Sequence, residues 1–276
     1  MFVASCLPHA ATAASREKAV GRMKTDTLKS KVTDVAVAIS LLTRLPLPRL
    51  PDNAFENAAR AVWAYPIVGA VLGVGAGAIG SLAVTLGLPV MIAAGLSLVF
   101  LACCTGAMHE DGLCDVADGF WGGLTRDKRL SIMKDSQIGT YGTLALILCV
   151  GLRWIAYAAL LPIGIGAIFA AAALSRSMMP FVMCALPHAR SNGLSFQVGR
   201  PKRRVVAIGV LFAMALSLAT IGLASALSAL LIGLLSSAAM IHLARRKIGG
   251  QTGDVLGATQ VVTELCILCT ILIVLN

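Results

Sequence analysis

Between Ala61 and Met108 the chain carries no Asp, Glu, Lys or Arg. No feature of the sequence limits its fold more. A helix needs about 20 apolar residues to cross the hydrocarbon of a bilayer, so this stretch holds two crossings, at Ala61–Leu86 and Val90–Met108. Gly87-Leu88-Pro89 supplies the turn between them. The alternation that marks strands of a membrane barrel is missing, and the runs read as helices.

Five further runs follow, at about Thr143–Leu161, Gly164–Leu186, Val205–Leu223, Ala226–Leu243 and Ala258–Leu275. Composition supports the assignment. The chain is 58% hydrophobic and 13% charged, whereas soluble domains average roughly 45–50% and 25%. The expected fold is an all-α, polytopic membrane bundle of about seven transmembrane helices. Residues 32–42 are apolar but too short to span and predict an interfacial helix before the first crossing. Residues 1–31 read as a flexible basic extension, with Met23 a candidate start, and 32–276 as a single transmembrane domain.

Basic residues cluster before the first span, after the second (Arg126, Lys128, Arg129, Lys134), after the fourth (Arg190, Arg200, Lys202, Arg203, Arg204) and after the sixth (Arg245, Arg246, Lys247). The three intervening turns carry none, so the positive-inside rule puts the N-terminus and every long loop in the cytoplasm. A net charge of +10 then needs no nucleic acid to account for it, because anionic headgroups attract such flanks. Most of the cysteines lie in or beside apolar spans and read as small hydrophobes; Cys266 and Cys269 spell CxxC without partner ligands.

Against this background HEDGLCDVADGFWGG (109–123) stands out, since six of the thirteen acids (Glu110, Asp111, Asp115, Asp118, Asp127, Asp135) fall between the second and third spans. If the second helix continues through this loop, Asp111, Asp115 and Asp118 share an arc of about 60°, and Glu110 points about 100° away. Like charges so spaced oppose helix formation unless a cation sits among them. Carboxylates without nearby His or Cys ligands favour magnesium or manganese, and magnesium takes the rest of its shell from water and phosphate. Basic residues and glycines beside the acids suit a diphosphate ester. The competing reading is a solvated loop whose acids balance its lysines and arginines. For His109 an ordinary polar boundary residue is favoured over a proton acceptor, and Trp121 and Tyr141 read as interfacial anchors.

A second polar block, Gly249 to Gly257 with Gln260 and Glu264, lies late in the chain. Its glycines around Asp254 suggest a loop shaped to approach a ligand. Glu264 lies inside an apolar span, where pairing with Arg153 or Arg176 is as good an account as catalysis.

These blocks resemble the cobalamin synthase family, also called adenosylcobinamide-GDP ribazoletransferase. The likeness runs from about Asp34 onward and rests on LLTRLPLP (41–48), WAYPIVGAVLG (63–73), HEDGLCDVADGFWGG (109–123), IMKDSQIGTYG (132–142) and GGQTGDVLGA (249–258). It implies a bacterial inner-membrane transferase that joins adenosylcobinamide-GDP to α-ribazole or its 5′-phosphate, releases GMP and requires magnesium. On this sequence it implies Asp111, Asp115 and Asp118 as metal ligands. Asp135, Lys134 and His109 are then the catalytic candidates, Asp118 an alternative proton acceptor, and Arg129, Gly112, Gly119, Thr252, Asp254 and Arg44 the substrate-binding ones. CDP-alcohol-type or prenyl-diphosphate transferases use similar acid-rich helices, and a transporter is the non-enzyme rival.

Overall fold

A computed structural model describes residues 30–275. The expectations for the preceding extension, including the start at Met23, lie outside the described residues. Helix α1 (30–42) forms where the short apolar run predicts it. It is clasped by the protein: Val37, Ala38, Leu41 and Leu42 are buried, and Asp34 accepts bonds from Arg60 Nε and Trp63 Nε1, each 3.0 Å.

The bundle proper consists of α2 (Tyr65–Thr85), α3 (Val90–Thr105), α4 (Met108–Gly122), α5 (Arg126–Ile132), α6 (Thr140–Leu160), α7 (Gly166–Ala185), α8 (Arg203–Ile248) and α9 (Gly253–Leu275). Among the described residues there is no strand, only a single bridge between His188 and Gln251. Five helices are long and apolar enough to cross a membrane, and the bent pair α3–α4 makes a sixth if taken as one span. Helix α7 is the hub, packed by α2, α8 and α9. Its run of buried alanines, 170–173, lets neighbouring backbones come close, which is how helices associate where lipid removes the hydrophobic drive.

Helix α8 has 46 residues and would measure about 69 Å if straight, more than twice the hydrocarbon thickness. It folds back at Gly222, whose φ of 74° and ψ of 174° are open to glycine alone without strain. Arg200 and Arg245, at the two ends of the run, donate to the carbonyls of Cys184 and Ala185 at one end of α7, whereas Gly166 at the other end of α7 meets Thr220. The halves 203–221 and 223–248 are therefore the two separate spans expected.

The sequence-based expectation fails at one junction. The second helix does not continue through the acidic segment. It stops at Gly106 (φ 64°) and Ala107 (φ 54°), and α4 leaves at 88° to α3. The acidic segment is thus a helix of its own followed by a second short one, α5, and not a loop. Thr125 starts α5 by accepting from Lys128 N. Both lie at the end of the bundle where the basic residues gather: Arg126 donates to Ile248 O, Arg129 to Lys247 O and Lys247 to Phe120 O.

Candidate active site

Helix α4 lies along the start of α9. Gly112 makes the approach possible: a Cβ there would stand 2.7 Å from the Asp254 carbonyl oxygen. Beside α4 opens a cavity of about 690 Å³, lined by Asp111, Asp115, Lys134, Asp135, Ser136 and Gln137 among others. Asp111 is exposed and Asp115 half-buried. Burial, and then the carboxylates of Asp254 and Asp111, push the Asp115 carboxyl up to about 7, against the pull of Arg190. Asp254 itself is held by Arg190 Nη2 at 2.8 Å and Thr252 Oγ1 at 3.1 Å. Arg190 reaches it because the segment after α7 is zipped to the turn before α9, through Ala189 N to Gln251 O (2.9 Å) and Gln251 N to Pro187 O (2.8 Å). The other terminal nitrogen of Arg190 is buried without a partner, so the guanidinium keeps a donor for a further anion.

Chemically this is a patch of hard oxygen donors with one carboxyl poised near neutrality, with Lys134 on the cavity wall and Arg190 behind, on Asp254. Among the described residues no three His, Cys, Asp or Glu side chains converge closely enough to hold a metal ion by themselves. The donor set fits a magnesium ion bound through one or two carboxylates and completed by water and substrate phosphates, its usual mode at phosphate sites.

The model of the family described as cobalamin-5-phosphate synthase matches residues 34–272. The chain belongs to that family. An adenosylcobinamide-GDP ribazoletransferase of Bradyrhizobium diazoefficiens is 41% identical over 246 residues, covering 88% of this chain and 95% of that one. One of Brucella anthropi is 42% identical over 262 residues, covering 89% and 98%. No solved structure matches. Membership of the cobalamin-5-phosphate synthase family makes the chain an enzyme of cobalamin synthesis and displaces the rival transferase and transporter readings.

Within the synthase, the fold separates residues that spacing alone treated alike. Asp118 is 8% exposed, and its two oxygens accept from Gly139 N (2.7 Å) and Gly142 N (2.9 Å). It caps the N-terminus of α6 and does not line the acidic cavity. Replacement of Asp118 by alanine is expected to cost about 1–2 kcal/mol, the loss of a helix cap with charged bonds. Thermal unfolding of the purified protein measures it.

Asp111, Asp115, Lys134 and Asp135 are brought together as expected. His109 is not: it is 2% exposed, its Nε2 has no partner, and it borders a separate cavity of about 70 Å³ with Tyr65, Met108 and Gly257. Arg129 is spent on the carbonyls of Gly123 and Lys247, and Arg44 lies against Gly106, so neither lines the acidic cavity. Thr252 is buried and accepts from Val255 N, 3.3 Å, in the first turn of α9. Gly112 and Gly119 serve packing, the latter because a Cβ would collide with Met133 Cγ. Within the late glycine block, Gly249 ends α8 at φ 76° and Gly250 sits under the Pro187 carbonyl.

Glu110 does turn away from the aspartates, to Arg153 Nη1 at 2.8 Å. Arg153 also holds Glu264 at 2.9 Å, which Arg176 approaches at 3.8 Å. Both arginines thus meet Glu264. Sequence reading missed Arg190, which stands among many basic residues with nothing local to mark it.

Proposed function

We propose that this synthase joins adenosylcobinamide-GDP to α-ribazole or its 5′-phosphate with release of GMP, using magnesium, at the cytoplasmic face of a bacterial inner membrane. The observation that carries the reading is the Asp111–Asp115–Asp254 cluster, which concentrates carboxylates between Lys134, in no ion pair among the described residues, and Arg190, which keeps one donor beyond its bond to Asp254. Relatives named for this activity cover most of the chain, and the crowding of basic residues at the same end of the bundle supports the cytoplasmic orientation.

In this reading Asp111 and Asp115 hold the magnesium ion, which supplies charge neutralisation for the diphosphate when bound. Lys134 and Arg190 bracket the phosphates and offset the charge that builds on the departing GMP. Asp135, exposed on the cavity wall and already accepting from Gln137 N at 3.1 Å, takes the proton of the ribazole hydroxyl as that oxygen attacks the phosphorus bonded to cobinamide. The attack forms the new phosphodiester, and GMP leaves with the electrons of the cleaved anhydride bond.

The test is a GMP-release assay on the purified full-length protein with adenosylcobinamide-GDP and either form of α-ribazole. Equimolar GMP and cobamide with magnesium, and background levels in chelator, are expected; release that ignores the chelator would remove the metal role, and no release in any condition would remove the reaction. A pH dependence follows from Asp115. Below about 7 its carboxyl holds a proton that a cation must displace, so magnesium affinity is expected to fall by up to about tenfold per pH unit below that value and to level off above it. Calorimetric titration of magnesium at several pH values measures this.

A further inference from the structure

At the end of α7 away from Gly166, the fold-back of α8 leaves a groove between the helices, with a volume of about 500 Å³. Phe181, Val206, Val210 and Leu234 form apolar walls, and Arg200 and Arg203 stand at it. We infer that this groove binds one anionic glycerophospholipid of the surrounding bilayer, its phosphate on the arginines and an acyl chain along the apolar walls.

Three observations carry this. Arg200, Lys202, Arg203 and Arg204 form a run with no acidic residue between Asp135 and Asp254 to balance it, and none of the four makes an ion pair among the described residues. Second, the carbonyl of Cys184, one of the unbonded acceptors that end α7, would repel a phosphate, but Arg200 Nε covers it at 2.9 Å. That bond fixes the guanidinium beside the groove, and Arg203 is exposed next to it. Third, Ile208 and Leu211, on the same half of α8, are 51% and 68% exposed, which marks this flank as one that lipid covers. A basic notch between crossing helices at the headgroup level selects anionic over zwitterionic lipid, and the planar arginine fork suits a phosphodiester. The acidic cluster plays no part in this inference, so it stands or falls apart from the proposed reaction.

Native mass spectrometry of the detergent-solubilised full-length protein, titrated with phosphatidylglycerol and separately with phosphatidylcholine, tests it. One tight phosphatidylglycerol adduct and no comparable phosphatidylcholine adduct are expected. Arg203→Gln should weaken the adduct about fivefold, and a double variant with Arg200→Gln about thirtyfold. Because Arg200 also covers a helix end, Arg203→Gln alone decides the matter if the double variant fails to fold. Arg246→Gln, the same charge change at another exposed site, should leave the adduct unchanged. Equal binding of both lipids, equal weakening by Arg203→Gln and Arg246→Gln, or displacement of the adduct by a guanine nucleotide would each overturn the assignment.

Discussion

An Asp115→Asn protein is expected to release GMP about 10²- to 10³-fold more slowly than the parent, the usual loss when one electrostatic group is removed from a reacting centre, and yet to be the more stable of the two in chelator. The opposite signs have one cause. The Asp115 carboxyl sits at about 7, above its ordinary value, so the folded protein grips that proton more tightly than the unfolded chain does. The folded state is then progressively penalised as the pH rises through about 7. Asparagine removes the penalty along with the ligand. At about pH 8 in chelator the variant should melt above the parent, and added magnesium should raise the parent's midpoint and leave the variant's unchanged, as expected when an ion binds only the folded state. A variant that is both slow and less stable in chelator would show that Asp115 serves the fold, and would take it out of the site.

The second large effect is at Arg153. This side chain is 3% exposed and lies between Glu110 at 2.8 Å and Glu264 at 2.9 Å. Glu264 is also bonded by Tyr157 OH at 3.1 Å and by Gln260 Nε2. Arg153→Ala leaves Glu110 without a cation and Glu264 with Arg176 alone, at 3.8 Å, and removal of one member of such a buried set costs about 3–5 kcal/mol. Reversible denaturation in mixed micelles measures it. Arg153→Ala combined with Glu110→Gln should recover much of the loss, because Glu264 then keeps Arg176 and no carboxylate is left without a cation. Glu110 precedes Asp111 in α4, so Arg153→Ala is also expected to weaken magnesium binding, which Arg153→Lys should largely preserve.

What the chain disclosed in advance and what it withheld differ for physical reasons. Crossings are set by local apolar length, so both spans within α8 were legible even though the helix runs on and turns only at Gly222. The break before α4 was not, because Ala107 adopts a left-handed conformation (φ 54°) that residue type does not announce. Spacing placed Asp111, Asp115 and Asp118 on one arc, and the arc survives. Which of the three faces the cavity was decided by the turn at 139–142, distant in sequence, whose amides took Asp118. Arg190 is the same lesson from the other side: its role depends on a zipper between segments more than 60 residues apart, Ala189 to Gln251. Glu264 was the easier case, since a carboxylate inside an apolar span must find cations, and Arg153 and Arg176 are the only Lys or Arg side chains in α6 and α7.

Asp254 and Glu264 both belong to the last helix, while two cations they meet, Arg190 and Arg176, belong to earlier segments. During synthesis the ribosome therefore releases α7 and the segment after it with those charges unmatched, and insertion of the final segment closes both pairs. A polypeptide truncated before α9 would leave Arg176 out of water without its carboxylate, so it is expected to enter the membrane yet fail to settle.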